Sequence, residues 1–417
     1  MLYERWRQIA DELRGETALH DVTRGERWTF AQLAAAGEKD IGAGRIVFPQ
    51  GKEFVFTLLR AWHSGRTVCP LEPGQKPPHF ESLPPACAHL KTTSATGGVA
   101  RVVAFTEEQL AADADNIVAT MGLRRDWPNL GVISIAHSYG FSNLALPLLL
   151  HGIPLVLLDL PLPEMVRRAA ENFEAITLPA VPALWRVWHE ANAIPKNVRI
   201  AISAGAPLPL MLEQSVFATN GLKLHNFYGS SECGGIAYDT SPTPRNDAAC
   251  AGSPMKNVQL SVGADGCLEV RGRAAGQTYW PEAAANLTNG CFRSSDLAEI
   301  RDGLVFLRGR AGDQINVAGR KLSPEEIEKA LLSHPEVRDC IVFGVPADDA
   351  ERADIIVACV ASNGSLTGDT LRSFLLERLP AWQIPREWVF VPSLEMNQRG
   401  KISRQEWRSR YLAQRKD

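Results

Sequence analysis

Apolar segments with the pattern of buried strands alternate with helix-like patterns through about the first 300 residues. The spacing of apolar residues predicts helices over 53–64, 107–121 and 208–219. Such alternation is typical of an α/β fold with largely parallel sheets, because a parallel crossover usually places a helix between its strands. The strand-like segments lie at 44–48, 130–136, 155–158, 175–178 and 198–203.

The pattern changes after residue 251, where short strand-like segments are separated by Gly, Asp and Asn turns. These segments predict a small β-rich subdomain over 251–308. A compact segment follows after Arg310, and we place a domain boundary at 309–312. In that last segment the pattern predicts strands at 339–345, 355–360 and 388–391 and helices at 325–332 and 370–379.

Composition and charge exclude several classes of protein. The 417 residues are 45% apolar and 22% charged, which is typical of a globular chain with two or three domains. The net charge of −3 argues against a nucleic-acid partner. The eight cysteines include no Cys-x-x-Cys pair, which argues against a zinc site and fits reduced thiols. Because the amphipathic start contains acidic residues, it is not typical of a signal peptide, and we expect a cytoplasmic protein.

The longest apolar run, 144–158, is interrupted by Pro147, His151, Gly152 and Pro154. We therefore expect a buried helix, a turn and a strand here, and no membrane span.

Residues 309–324 combine two Gly-Arg steps with a short alternating segment that holds Ile315 and Val317. Ser323 is suited to cap a following helix, and Pro324 is suited to its first turn. An ordinary hairpin followed by a surface helix is one interpretation of this block. The block also resembles the hinge region of the adenylate-forming superfamily, which comprises acyl-CoA synthetases, peptide-synthetase adenylation domains and luciferases.

A loop of small and hydroxyl residues at 92–103 resembles the phosphate-binding loop of that superfamily. Backbone N–H groups and hydroxyls in such a loop bind phosphate oxygens, and a cation balances the charge. The match is degenerate, since Ala100 replaces the usual proline and Arg101 the usual lysine. A structural turn is the alternative interpretation. The nucleotide contacts expected from the resemblance are Thr93, Ser94, Thr96, Gly97, Gly98 and Arg101.

His137 lies between an apolar segment and a Gly-aromatic turn. A satisfied core histidine is the simpler interpretation of such a residue. The segment resembles the superfamily's His motif, in which the imidazole lies beside the acyl carboxylate and the pantetheine tunnel. The resemblance therefore makes His137 an expected catalytic residue.

The segment Tyr-Gly-Ser-Ser-Glu at 228–232 closely resembles the superfamily's Tyr-Gly-x-Thr/Ser-Glu motif. Its aromatic ring can stack on adenine, and Ser231 can reach the α-phosphate. The Glu232 carboxylate can hold Mg²⁺, which prefers hard oxygen ligands shared with substrate phosphates. An exposed turn with an incidental glutamate is the alternative. Together with a similar turn at 203–208, the motif implies nucleotide contacts from Gly205, Ala206, Asn226, Tyr228, Gly229 and Ser231.

Asp296 lies in a segment that resembles the superfamily's Thr-Gly-Asp motif, where a carboxylate accepts hydrogen bonds from both ribose hydroxyls. Arg310 is the expected second ribose or phosphate contact. The C-terminal Gly-Lys-Ile-Ser-Arg segment resembles the motif whose lysine, here Lys401, bridges the carboxylate and the α-phosphate. A solvated, charged chain end is the alternative for Lys401. Gly319 and Lys321 are the expected contacts of the thiol and of a phosphate in a second state.

Taken together, the resemblance implies an α/β fold with a large N-terminal domain over 1–308, built of two α/β subdomains and the β-rich subdomain. A small mobile α+β C-terminal domain over 313–417 would rotate about the hinge at 309–312. The resemblance also implies ATP, Mg²⁺ and coenzyme A as cofactors, and a small carboxylic acid as substrate. The small and aromatic residues near 137–143, 203–208 and 226–235 favour an aryl or medium-sized acid over a very long chain. An acyl carrier protein with its phosphopantetheine arm is the alternative acceptor and partner. A non-catalytic nucleotide-binding relative is the alternative from another functional class.

Overall fold

The structure is a computed structural model, and it describes residues 1–92, 102–317, 320–347, 354–362, 366–395 and 402–415. The chain folds into two compact units. The predicted boundary at 309–312 remains a prediction. The first unit comprises Met1–Ser261, Glu269–Arg293 and Asp302–Val305, and the second comprises Val262–Leu268, Ser294–Arg301 and Phe306–Asp417.

The strands of the described residues are β1 (Thr17–Asp21), β2 (Glu26–Thr29), β3 (Ile46–Val47), β4 (Thr67–Val68), β5 (His89–Thr92), β6 (Val102–Phe105), β7 (Asn129–Gly131), β8 (Leu155–Leu157), β9 (Ile176–Ala180), β10 (Val198–Ser203), β11 (Leu224–Ser230), β12 (Gly234–Tyr238), β13 (Cys250–Pro254), β14 (Gln259–Val262), β15 (Cys267–Arg271), β16 (Thr278–Trp280), β17 (Leu287–Thr288), β18 (Cys291–Arg301), β19 (Leu304–Arg310), β20 (Ile315–Val317), β21 (Arg320–Leu322), β22 (Val337–Pro346), β23 (Asp354–Ser362) and β24 (Glu387–Val391).

The helices of the same residues are α1 (Leu2–Glu12), α2 (Phe30–Gly37), α3 (Phe54–His63), α4 (Glu107–Met121), α5 (Ser138–Gly140), α6 (Leu146–His151), α7 (Pro163–Glu171), α8 (Pro182–Glu190), α9 (Leu210–Asn220), α10 (Pro324–Leu332), α11 (Gly368–Leu376) and α12 (Arg404–Gln414). A π-helical segment, Phe141–Ala145, joins α5 to α6.

Two sheets form the framework of the first unit. In the larger one, β1, β8, β7, β9, β10 and β11 are parallel neighbours, and β2, β12 and β13 extend it by antiparallel pairing. The smaller sheet has the order β16-β6-β5-β4-β3. The predicted α/β architecture is therefore confirmed, with parallel pairing in the centre of the larger sheet and mixed pairing in the smaller one.

Local sequence signals explain where the predicted helices begin and end. The helix predicted over 107–121 is α4, which begins with a capping box between Thr106 and Gln109. It ends at Gly122, whose φ of 66° is the left-handed conformation that glycine adopts without strain. The apolar run at 144–158 forms α6, a left-handed turn at Gly152 and β8, as predicted. No helix in the described part of the chain is long and apolar enough to cross a bilayer.

The strand predicted over 130–136 is shorter than expected. Strand β7 ends at Gly131, and the chain then turns so that the His137 N–H donates to the Ser134 carbonyl at 3.3 Å. The first residues of the next helix pack closely on this turn, because a Cβ at Gly140 would lie 2.1 Å from the Ser134 oxygen. Apolar residues after 131 therefore line a turn and are not part of a strand.

The second unit contains the sheet β22-β23-β24 and the hairpin β20-β21. Strands β22, β23 and β24 and helices α10 and α11 occur where the sequence predicts them, within a few residues at each end. The prediction that the Ser323 side chain caps α10 is wrong. Ser323 occupies the N-cap position, but its hydroxyl donates to the Glu325 carboxylate and accepts no backbone N–H. The nearby carboxylate is the stronger acceptor for this hydroxyl.

His89, at the start of β5, is a buried histidine that packs against an aromatic ring. Its ring is fully buried and stacks on Phe141 with centroids 4.3 Å apart. Neither ring nitrogen has a hydrogen-bond partner among the described residues. Burial, with a smaller contribution from the Lys91 charge, lowers the pKa of His89 well below its ordinary value.

This burial predicts a pH-dependent loss of stability. Below about pH 6.5 the unfolded chain takes up a proton at His89 that the folded chain cannot accept, so stability falls as pH falls. A His89→Phe variant lacks this loss. Its free energy of unfolding relative to wild type should rise by about 1.4 kcal/mol between pH 8 and pH 5.5. Thermal and urea unfolding at both pH values measure the difference, and a difference that does not change with pH would contradict the assignment.

Candidate active site

The carboxyl ends of β7, β10 and β11 bring together segments that are distant in the sequence. Because these strands belong to one parallel set, their carboxyl ends lie at the same edge of the sheet, where α/β proteins bind ligands. The hydroxyls of Ser138 and Ser231 are 3.0 Å apart. The rings of Tyr139 and Phe227 face each other with centroids 5.9 Å apart. The structure therefore places the predicted His137 segment directly beside the predicted Tyr-Gly-Ser-Ser-Glu segment.

Glu232 lies in the turn between β11 and β12, and the turn is held from two sides. The Tyr279 hydroxyl, on β16, donates to Glu232 Oε1 at 3.0 Å. The Gly276 N–H donates to the Glu232 carbonyl at 2.7 Å. The Ser230 hydroxyl accepts the Glu232 N–H at 3.2 Å. These three contacts fix both the backbone and the carboxylate of this half-buried glutamate.

The second carboxylate oxygen of Glu232 accepts no hydrogen bond from the described residues. No group of three or more His, Cys, Asp or Glu side chains within those residues is arranged to hold a metal ion. Mg²⁺ commonly binds one or two protein carboxylates and takes its other ligands from water and substrate phosphates. A single oriented carboxylate with one open oxygen fits that mode of binding.

Steric crowding explains why residue 229, in the Tyr-Gly-Ser-Ser-Glu segment, is a glycine. A Cβ at Gly229 would lie 2.6 Å from the Gly234 carbonyl oxygen, across the turn that contains Glu232. A side chain at residue 229 would therefore push the two strands of this turn apart.

His137 occupies the N-cap position of α5. Its Nδ1 accepts the Tyr139 N–H at 3.3 Å. A neutral imidazole whose Nδ1 is an acceptor carries its proton on Nε2, so Nε2 is the nitrogen that can donate. The structure gives His137 a capping contact that the sequence did not predict, while its catalytic role remains a prediction.

The turn at 203–208, after β10, is held by a buried arginine. Gly205 has a φ of 85°, which only glycine adopts without strain. Arg245 donates to the Leu208 carbonyl at 2.8 Å and to the Cys250 carbonyl at 2.7 Å. The predicted contact Asn226 also donates to the Cys250 carbonyl, at 3.2 Å. One arginine thus connects the turn that holds Gly205 and Ala206 to the strand that holds Asn226.

Arg245 belongs to a buried cluster of two acids and two bases. Its Nε lies 2.9 Å from a Glu213 oxygen, and Lys223 contacts both Glu213 and Asp239. The side chains are all at most 7% exposed. Burial alone would raise the pKa of Asp239, but the hydrogen bonds from Lys223 and Ser241 hold it below its ordinary value. The cluster has no net charge, which reduces the cost of burying it.

Asp296 and Arg310 lie together in the second unit. Arg310 Nε donates to Asp296 Oδ1 at 3.0 Å, and the Asp296 side chain is only 18% exposed. The neighbouring Gly309 has a φ of 100°, and a Cβ there would lie 1.8 Å from the Ser323 hydroxyl. The two predicted ribose contacts are therefore adjacent, and a glycine is required immediately before Arg310.

Arg404 is anchored among three carboxylates of the second unit. It contacts Asp313 at 2.6 Å, Glu328 at 2.8 Å and Glu325 at 3.1 Å. Burial alone would lower the pKa of Arg404, but Glu328 and the other carboxylates raise it. The described Arg404 is three residues after the predicted Lys401, and Lys321 is exposed on β21.

Some predicted contacts lie outside the described residues, and others that matter were missed. Sequence reasoning missed Tyr279 and Arg245, because their partners are far away in the chain. The predicted contacts outside the described residues are Thr93, Ser94, Thr96, Gly97, Gly98, Arg101, Gly319 and Lys401.

Comparisons with known proteins agree with the predicted family. A family model described as "AMP-binding enzyme" matches residues 64–280, and one described as "AMP-binding enzyme C-terminal domain" matches residues 326–401. A probable CoA ligase from Humulus lupulus is 28% identical over 76% of this chain and 62% of its own length. The 2,3-dihydroxybenzoate-AMP ligase of Bacillus subtilis is 27% identical over 76% of this chain and 63% of its own. The matches of the first relatives span between 48% and 63% of those proteins.

Solved structures agree on the fold. The o-succinylbenzoate CoA synthetase of Bacillus subtilis, in complex with its acyl-adenylate intermediate, has a TM-score of 0.83 at 20% identity and 97% coverage of both chains. The amide bond synthetase McbA of Marinactinospora thermotolerans has a TM-score of 0.83 at 20% identity, covering 99% of this chain and 100% of its own. At this identity the likeness shows the fold alone. With a family model that matches more than half of the sequence, the chain belongs to the family of AMP-binding enzymes, the adenylate-forming superfamily.

Proposed function

We propose that this protein activates a carboxylic acid with ATP and transfers the acyl group to the thiol of coenzyme A. The observation that carries the proposal is the Glu232 turn. Its carboxylate is oriented by Tyr279, and the hydroxyl of Ser231, the residue before Glu232, lies 3.0 Å from the Ser138 hydroxyl. This arrangement suits a phosphate group and its counter-ion, and it lies at the ligand-binding edge of a parallel sheet.

In the first step, an oxygen of the acid attacks the α-phosphorus of ATP, and pyrophosphate leaves. The product is an acyl-adenylate, a mixed anhydride in which an oxygen of the acid bridges carbon and phosphorus. Glu232 would hold Mg²⁺, which supplies positive charge to the phosphate oxygens. Ser231 would donate to the α-phosphate. Lys401 would neutralise charge that develops between the acid and the phosphate in the transition state.

In the second step, the thiol attacks the carbonyl carbon of the acyl-adenylate. The bond between that carbon and the bridging oxygen breaks, AMP leaves, and the thiol gives up its proton. We propose that the C-terminal domain rotates about 309–312 between the two steps. The rotation would withdraw Lys401 and bring Gly319 and Lys321 towards the thiol and a phosphate.

The substrate acid is proposed to be an aryl or other medium-sized acid. The segments that meet at this edge of the sheet contain the aromatic residues Tyr139, Phe227 and Tyr228 and the small residues of the 203–208 turn. Flat acids pack well against aromatic rings. Two relatives carry names with aromatic acids, 2,3-dihydroxybenzoate and anthranilate.

Coenzyme A is the proposed acceptor, with the phosphopantetheine of an acyl carrier protein as the alternative. Relatives named as CoA ligases favour coenzyme A. The fold does not decide the matter, because the same fold occurs in a protein named as an amide bond synthetase.

The proposal is tested with a panel of carboxylic acids. Incorporation of labelled pyrophosphate into ATP should require an acid, and an aryl or medium-sized acid should give the highest rate. The same acid should then form a thioester with coenzyme A and release AMP. Exchange without any acid, or ATP binding with no exchange for any acid, would support a non-catalytic nucleotide-binding relative instead. A thioester formed only on a carrier protein would replace coenzyme A as the acceptor.

Removal of Lys401 should affect one step selectively. If its ammonium acts only while the adenylate forms, Lys401→Ala should slow acid-dependent exchange by about 10²–10³-fold. The variant should still convert synthetic acyl-adenylate and coenzyme A to thioester within about tenfold of the wild-type rate.

Lys321→Ala is the matched control, because Lys321 is the proposed contact of the second step. It should lose thioester formation and retain exchange. Comparable loss of both steps in Lys401→Ala, with an unchanged circular-dichroism spectrum, would contradict the domain rotation.

A further inference from the structure

A buried ion pair in the first unit contacts the turn that follows Glu232. Lys91, on β5, is 3% exposed, and Asp113, on α4, is 2% exposed. Lys91 Nζ lies 3.6 Å from Asp113 Oδ2 and 3.3 Å from the Ser142 hydroxyl. The Ser142 hydroxyl donates to the same Asp113 oxygen at 2.6 Å. We call these three side chains the Asp113 network.

The other oxygen of Asp113 holds the turn that follows Glu232. Asp113 Oδ1 accepts the Gly235 N–H at 3.1 Å. The carboxylate fills the space that a side chain at residue 234 would need, because a Cβ at Gly234 would lie 2.0 Å from Oδ1. Gly234 also has a φ of 67°. The approach of this carboxylate therefore explains the glycine at residue 234, whereas a Cβ at Gly235 would lie 3.0 Å from Met255 Cε.

The network also reaches the strand before the predicted phosphate loop. Lys91 is the penultimate residue of β5, and the described part of this strand ends at Thr92. Lys91 Nζ lies 4.6 Å from the centre of the Phe105 ring on β6, the strand that follows the predicted loop. One buried pair thus contacts strands β5 and β6, which precede and follow the predicted loop in the sequence, and the turn of the predicted Mg²⁺ ligand.

A buried ion pair is a weak source of stability, because removing two charges from water costs about as much as their attraction returns. We expect this ion pair to act mainly by holding neighbouring groups in fixed positions. A metal carboxylate and the phosphate-binding groups must be held within about half an ångström of their working positions. A charged carboxylate that accepts both a backbone N–H and a hydroxyl is a strong, directional anchor.

We propose that Asp113 is a positioning residue for the reaction, which fixes the turn that carries the Glu232 carboxylate relative to strands β5 and β6 through Gly235 and Lys91. Asp113 touches no reacting atom in this role. The proposal rests on the proposed function, since it assigns Glu232 to Mg²⁺. It extends that function by naming the buried group on which the geometry of the metal ligand depends.

The variants separate positioning from a general loss of stability. Asp113→Ala removes the contacts that Asp113 makes with Lys91, Ser142 and the Gly235 N–H. The double variant Lys91→Met with Asp113→Asn keeps an oxygen for the Gly235 N–H and leaves no unpaired charge, so it should restore positioning. Asn116→Ala is the matched control, because Asn116 lies on the same helix, is 2% exposed and accepts a hydrogen bond from Asn257 away from the site. Tyr279→Phe is the comparator that loses a direct contact of the Glu232 carboxylate.

Two readouts are needed, and the first does not depend on activity. Hydrogen exchange measured by mass spectrometry should show faster exchange in the peptide over 230–236 for Asp113→Ala, by about tenfold or more. The double variant and Asn116→Ala should match wild type in this peptide.

The second readout is the MgCl₂ concentration that gives half-maximal ATP binding in calorimetry. It should rise by about tenfold in Asp113→Ala and in Tyr279→Phe, and by less than about twofold in the other two variants. A mere packing role would lower the melting temperature of Asp113→Ala and Asn116→Ala alike without this difference.

Three results would overturn the proposal: unchanged exchange at 230–236 in Asp113→Ala, an unchanged Mg²⁺ requirement, or a double variant as impaired as Asp113→Ala. If Asp113→Ala does not fold, Ser142→Ala is compared with wild type instead. It removes the hydroxyl contacts with Lys91 and Asp113, and we expect smaller changes in the same direction. Failure of the proposed function is a separate outcome. It would appear as wild-type protein without acid-dependent pyrophosphate exchange, while the exchange of the 230–236 amides still reports on positioning.

Discussion

The parallel sheet of the first unit imposes the constraint from which its other features follow. Strands β7, β9 and β10 are buried almost along their whole lengths, so their side chains are largely apolar and cannot supply chemistry. Polar groups must then come from the segments that leave the strands at the carboxyl edge. Those segments contain His137, the turn at 203–208 and the Glu232 turn, which explains why motifs from distant parts of the sequence meet there.

Segments that leave a sheet need anchors, because loops have few backbone partners of their own. In this protein the anchors are buried charges. Arg245 holds the carbonyls of Leu208 and Cys250, and Asp113 holds the Gly235 N–H. Both belong to clusters in which acids and bases are balanced, so the protein bears the cost of burial without an unpaired charge. Buried, rigid side chains therefore hold in place the turns that carry the candidate site residues.

The sequence was sufficient for the parts of the structure that depend on local signals. The helix at 107–121 has a capping box and a terminal glycine, and Glu232 lies within a short contiguous motif, so both could be predicted. Contacts between distant residues could not. Tyr279 is 47 residues from Glu232, and Asp113 is 122 residues from Gly235, and no local pattern marks either pair.

Two local predictions failed because another contact within the same segment outweighed the predicted preference. The apolar residues after Gly131 suit a strand, but the close packing of Gly140 on the Ser134 carbonyl turns the chain. Ser323 suits a cap, but its hydroxyl binds the Glu325 carboxylate. The predicted contacts at 93–101 and Lys401 lie outside the described residues, so their roles rest on the family resemblance and on the proposals above.

The central claim is that the acid is activated by attack on the α-phosphorus of ATP and that AMP leaves when the thiol attacks carbon. The most direct measurement follows the oxygen atoms of a substrate acid labelled with ¹⁸O in its carboxylate. The account predicts that one labelled oxygen per turnover appears in AMP and that the thioester retains the other, because the carbon–oxygen bond of the mixed anhydride breaks. Label in inorganic phosphate with release of ADP, or unlabelled AMP, would contradict it.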